Sequence, residues 1–273
     1  MKAQNFLKTV AVALSGVALA GLSAKASTIT AQSGDLLLGF YSINTSTGSP
    51  SQTDVLTIDL GQASQFYNAT PGSTFTLSGV TLADLSGIYG SSWFTSTSNL
   101  LSWGVVGVAG SATSDGHAKA GTVWSTVASG TGSRAATTKT SLNTAISYIQ
   151  TLQNHISGVT STANSSTAFD DSTGSSGNYY SEDTVQSGVS FGNLSPLVDN
   201  TNTNVVSGVE YSDLWEQQPG TNPTAKGTAS LLGTFALSNS GVLTFTAAPE
   251  PSTVTLAIAA GLAMLASRRR RLA

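Results

Sequence analysis

Cysteine is absent from all 273 residues, which excludes disulfides, thiolate catalysis, thiolate zinc sites and iron–sulfur clusters. Stability must come from burial and hydrogen bonding alone. Charge is scarce as well, at 9% of the chain, and the cations gather at the two ends. Between Ser27 and Ala248 only Lys119, Arg134, Lys139 and Lys226 are basic, against thirteen acidic side chains, so this region carries −9 where the whole chain carries −3. Such a body is poorly suited to hold nucleic acid, phospholipid headgroups or an anionic polymer by charge attraction. A polysaccharide partner is expected to be neutral, or bridged by a divalent cation.

Hydroxyl side chains take the place of charge: 42 serines and 37 threonines solvate the surface, as in many extracellular β proteins, and could accept sugars. The N-terminus carries Lys2 and Lys8, a largely apolar stretch from Thr9 to Leu22, and then the small-x-small site Ala24-Lys25-Ala26 before Ser27. That order is a secretory signal peptide over residues 1–26, a substrate for signal peptidase. At the other end stand Pro249-Glu250-Pro251-Ser252, an uncharged segment over 253–266, and Arg268, Arg269, Arg270 and Arg271. Each proline fixes φ and pushes the residue before it out of helix, so the motif is extended and accessible to a processing enzyme. An apolar segment closed by arginines places its basic end in the cytoplasm. As a helix the uncharged stretch from Ser252 to Ser267 spans roughly 24 Å at about 1.5 Å per residue, short of a hydrocarbon core of roughly 30 Å. Both ends put the same middle region outside the cytoplasm.

Residues 249–273 resemble the PEP-CTERM sorting signal of bacterial exported proteins. Pro249 to Ser252 form the motif, 253–266 the membrane-associated segment and Arg268 to Arg271 the basic stop. The resemblance implies a substrate of the membrane enzyme exosortase, cut near the motif and released or transferred to the cell surface, commonly alongside exopolysaccharide. The body also resembles PEP-CTERM proteins of unassigned function in Gly34-Asp35-Leu36-Leu37-Leu38-Gly39-Phe40, Ile58 to Phe66, Leu101-Ser102-Trp103-Gly104-Val105, Leu214-Trp215-Glu216 and Leu232-Gly233-Thr234-Phe235. No catalytic residue comes with that resemblance.

Residues 27–248 read as one β-rich domain. Asp35–Ile43 and Asp54–Leu60 make a hairpin, Thr74–Leu77 is a short strand, and Leu82, Leu85 and Ile88 mark one or two helical turns. Leu100–Val108 is a buried strand partnered by Thr122–Val127. Leu142, Ile146, Ile149, Leu152 and Ile156 recur at helical spacing over 138–156, with Gly158 as the stop. Residues 160–178, poor in large apolar side chains, read as a surface loop. Ser230–Leu237 and Val242–Thr246 form the clearest hairpin. Many short strands without βα alternation predict a mainly β, antiparallel β-sandwich or jelly-roll-like body with one amphipathic helix.

Candidate chemistry is sparse. Gly188-Val189-Ser190-Phe191-Gly192 matches a nucleophile-elbow pattern, but His117 and His155 both precede it and Pro196 opposes a following helix, so it reads as a glycine-punctuated turn. Gly130 to Ala135 imitates a phosphate turn without the acidic residue such a turn needs downstream. Asp115 and His117 flank Gly116 with no third partner nearby in sequence. Asp170-Asp171 and Glu182-Asp183 bracket a loop where calcium is conceivable without fitting any known spacing. Trp93, in the polar setting Ser91-Ser92-Trp93-Phe94, is the aromatic placed to contact a glycan, whereas Trp103 and Trp124 belong to the core. No cofactor and no metal is expected. The chain reads as a non-enzymatic cell-surface or extracellular-matrix component linked to exopolysaccharide or biofilm, with a secreted carbohydrate-binding module or carbohydrate-active enzyme as the alternative.

Overall fold

The computed structural model describes residues 28–249 apart from 45, 48, 114, 131–133, 162–166, 172–175, 185–198 and 201–205. The proposed signal peptide, Glu250 to Ser252 and the basic tail lie outside the described residues, as does the Gly188–Gly192 motif. Strands β1 (Asp35–Asn44) and β2 (Ser49–Gln62) form the expected hairpin. Then follow α1 (Ser64–Tyr67), β3 (Thr74–Leu77), α2 (Leu82–Tyr89), β4 (Asn99–Val108), β5 (Val123–Ala128), α3 (Lys139–Ile156), β6 (Ala168–Asp171), α4 (Tyr179–Thr184), β7 (Asp199–Asn200), β8 (Val209–Gln218), β9 (Thr228–Ser238) and β10 (Leu243–Ala247).

Every strand pairing is antiparallel, and the strands hydrogen-bond along one path, β3-β10-β9-β8-β5-β4-β1-β2-β6, with β7 pairing to β4. The mainly β, antiparallel body is as the sequence predicts. The layering differs: in place of two facing sheets, one sheet curls so that residues from all parts of that path share a core.

That core lies inside the curl. Leu36, Leu38 and Phe40 of β1 meet Leu56 and Ile58 of β2, Trp103 of β4, Trp124 of β5, Leu214 of β8, Phe235 of β9 and Phe245 of β10. A second cluster lies on the outer face, where Leu37 and Tyr41 of β1, Val55 of β2, Val106 of β4 and Val123 of β5 pack under Leu142, Ile149 and Leu152 of α3. Strands covered on both faces read as continuous apolar runs, whereas those with one wet face alternate. Asp35 to Tyr41 of β1 are all buried, whereas β8 alternates buried and half-buried residues along most of its length.

The long helix is started by Thr138, whose side chain accepts from Ser141 N at 3.3 Å, satisfying one of the free donors of the first turn. Gly158, at φ +82, ends it by a conformation that other residues seldom adopt. Tyr89, closing α2, reaches into the β1–β2 ladder: its hydroxyl accepts from Leu56 N at 3.1 Å and donates to Phe40 O at 3.0 Å. Part of the expected loop over 160–178 is instead an edge strand, since Ala168–Asp171 pairs with Val55–Ile58 of β2. Its sequence has too few apolar side chains to announce a strand; the free edge of β2 supplies the template.

On the outer face the Tyr179 ring of α4 lies directly over Gly39 and leaves no space for a Cβ there. Tyr41 donates to Asp183 of the same helix at 2.7 Å. Gly39→Ala is therefore expected to destabilise the protein by about 1–3 kcal/mol through overpacking. Urea unfolding measures it, and in a Tyr179→Ala background the same change should cost less.

Candidate functional site

At one end of the sheet the turn from β2 into α1 faces the 109–122 loop between β4 and β5. Gly34 N donates to Val108 O at 2.7 Å, Ala63 N to Gly34 O at 2.8 Å, and Gly110 N to Ser33 Oγ at 2.7 Å. These bonds tie both loops to the turn at Ser33 and Gly34, and the loops form the walls of a polar groove of about 460 Å³, within the usual range for small-ligand clefts. Gln62, Ser64, Tyr67, Ser111, Thr113 and Asp115 contribute to its lining.

The rim is rigid. Asp115 Oδ1 accepts from Thr113 Oγ1 at 2.5 Å and from His117 N at 3.0 Å, while Oδ2 accepts from Tyr67 Oη at 2.7 Å. Gly116, between them, takes φ +73. Those donors, Thr113 first and Tyr67 next, hold the Asp115 carboxyl far below the usual carboxylate range. Burial, together with the Asp115 charge, pushes the Tyr67 phenol up to about 12. Tyr67 also stacks on His117, with ring centroids 3.9 Å apart and planes 7° from parallel.

Behind the rim, Glu216 of β8 is 3% exposed. Its Oε2 lies 3.0 Å from His117 Nε2 and accepts from Trp124 Nε1 at 3.1 Å, and its Oε1 accepts from Gln218 Nε2 at 2.8 Å. A buried carboxylate persists when its lone pairs are met in this way. The assembly offers an ionised carboxylate, an aromatic wall and several hydroxyls, which are groups that bind and orient a ligand.

A second cavity, of about 300 Å³, lies where the two ends of the curl approach each other, lined by Asp59, Gly61 and Gln65 beside β2 and by Phe75, Thr76 and Leu77 of β3. Burial raises the Asp59 carboxyl to about 6, with Asp35 adding repulsion against the partial compensation of a bond from Gly61 N.

The sequence-predicted candidates separate. Asp115 and His117 do come together with other groups, and the missing partners are Tyr67 and Glu216, far away in sequence. Trp93 is corrected: its polar neighbours predict an exposed ring, yet it is 3% exposed and packs edge-on to Phe94 at 5.1 Å in the inner core, so it is in no position to contact a glycan. Trp103 and Trp124 are core, as expected. His155 meets Asp171 at 3.1 Å, and Asp183 binds Tyr41, so two of the four bracketing acids hold elements together. Among the described residues no group of three or more His, Asp or Glu could hold a metal ion. Arg134, of the phosphate-turn motif, is buried and donates to Thr126 O. No helix among the described residues is long and apolar enough to cross a membrane; residues 253–266 lie outside them.

No protein-family model, no curated protein and no solved structure matches this chain.

Two measurements check the electrostatics. The native state holds its Asp59 proton up to about pH 6, above the unfolded value. Stability should therefore fall as pH rises between about 4 and 6, and stay lowered above that window. Asp59→Asn should reduce that slope, and the Asp59 carboxyl carbon followed by NMR should titrate near 6. Glu216→Ala leaves the Trp124 N–H without its acceptor and should cost about 2–4 kcal/mol in thermal or urea unfolding.

Proposed function

We propose that this chain is an exported cell-surface or extracellular-matrix protein carrying a PEP-CTERM signal for exosortase. Its body would serve as a structural or interaction component linked to exopolysaccharide. The observation that carries this reading is the combination at the C-terminus of Pro249-Glu250-Pro251-Ser252, an uncharged segment and four arginines, matched at the other end by a signal-peptide pattern. Signal peptidase removes residues 1–26. Residues 253–266 hold the exported body in the membrane with Arg268 to Arg271 on the cytoplasmic side. Exosortase then cuts near the motif and passes the body to the surface or the medium.

Two features of the body suit that route. Pro249 is exposed, two residues beyond the end of β10, so the motif begins where a membrane enzyme can approach it. A cysteine-free fold held by one hydrogen-bonded sheet and two cores needs no oxidative step outside the cytoplasm.

Intact-mass measurement and terminal peptide mapping of the protein recovered from cell envelope and medium test the reading. The expected mature chain starts at Ser27 and ends near Pro249 to Ser252. Recovery with Arg268 to Arg271 still attached would show a permanent anchor instead and sink the exosortase assignment.

A further inference from the structure

We propose that the groove between the β2–α1 turn and the 109–122 loop binds a neutral, polyhydroxylated ligand, namely a short saccharide segment. This deepens the surface-interaction reading by giving it a site, and the binding itself does not depend on how the chain is sorted.

The charge of the lining narrows the ligand first. Asp115 is the one charged side chain among the described residues that line the groove, and its carboxyl is held ionised by Thr113, Tyr67 and the His117 amide. No Lys or Arg among the described residues lines the groove. Phosphorylated, sulfated or carboxylated ligands would meet a fixed negative charge without a cation to offset it.

Hydrogen-bonding capacity narrows it further. Ser64 and Ser111 each carry a hydroxyl that both donates and accepts, and Asp115 accepts only, whereas Thr113 Oγ1 is engaged with Asp115 and Ala118 N and the Gln62 amide N–H with Asp35. An ammonium ligand can only donate, so it leaves the serine O–H donors of this set unpaired. A polyol offers a donor and an acceptor at every hydroxyl and can satisfy this mixed set. The Asp115 carboxylate, fixed by its three donors, keeps about one of its roughly four lone-pair sites for a ligand hydroxyl.

The wall supplies the third requirement. A sugar ring has an apolar C–H face, which packs on an aromatic ring. Tyr67 is the aromatic residue of the lining, and its orientation is locked twice, by the 2.7 Å bond to Asp115 and by the stack on His117. His117 is in turn held by Glu216 at 3.0 Å. Preorganisation of this kind removes the ordering cost that weakens binding to mobile loops.

The test uses the purified full-length chain in detergent, applied to a printed array of neutral, amino and uronic-acid oligosaccharides two to six sugars long. Titration calorimetry then follows with the strongest neutral member. Saturable binding to a neutral oligosaccharide is expected. Asp115→Asn should weaken it at least tenfold. Ser111→Trp, a change at an exposed loop position that fills the groove, should abolish it with unchanged thermal unfolding. Binding to no neutral member, or unchanged binding by the Ser111→Trp protein, overturns the proposal. So does a preference for uronic-acid or amino sugars. Failure here leaves the terminal mapping of the mature chain unaffected, so the two readings fall separately.

Discussion

Burial of both faces of β1 is the constraint from which the architecture follows. Leu36, Leu37, Leu38, Phe40 and Tyr41 are all 3% exposed or less, so this strand has no face to offer to water. One side is covered by curling the sheet until β9 and β10 lie opposite, the other by laying α3 and α4 across β1, β2, β4 and β5. Covering such a strand on one side only would leave a contiguous apolar patch of the kind that drives association. The extent of the helix also decides where alternation begins, because β8 to β10 lie beyond it and keep hydroxyl-rich outer faces such as Thr234, Thr244 and Thr246.

The curl brings a second problem with it, since its interior contains Trp103 and Trp124, whose ring N–H groups need acceptors. β8 supplies both. Trp103 Nε1 donates to Glu210 Oε2 at 2.9 Å and Trp124 Nε1 to Glu216 Oε2 at 3.1 Å. A buried carboxylate without donors would be costly, so tryptophan and glutamate each make the other tolerable. Glu216 does more than satisfy Trp124. Through His117 it reaches the Tyr67 ring and so the wall of the groove, which ties a loop at the end of the sheet to the core beneath it. The groove owes its rigidity to an interaction that begins inside the fold.

Most strands were legible because each carries its own pattern. The two hairpins, the β4–β5 pair and the α3 helix follow from alternation, from apolar runs bounded by glycine and asparagine, and from a 3.6-residue repeat stopped by Gly158. β6 was not legible, since Ala168-Phe169-Asp170-Asp171 has no strand pattern and is extended because β2 presents an open edge. Trp93 misled for a related reason: serines beside it in sequence say nothing about the core that folds over its ring. The groove was half legible. Asp115 and His117 stood out around Gly116, but Tyr67 lies 48 residues before Asp115 and Glu216 lies 99 residues after His117.

The amino-acid sequence by itself determined that no thiol chemistry is open to this protein, that the region between its ends is acidic and hydroxyl-rich, and where chain segments become strand or helix. These are properties of composition and of neighbours a few residues apart. Only the tertiary structure decided that the strands join into one curled sheet, that Trp93 is core, and that Tyr67, Asp115, His117 and Glu216 form one network. The reason lies in register: which side chains meet across a sheet depends on pairings between distant segments, and shifting any one by a single residue turns its side chains to the opposite face.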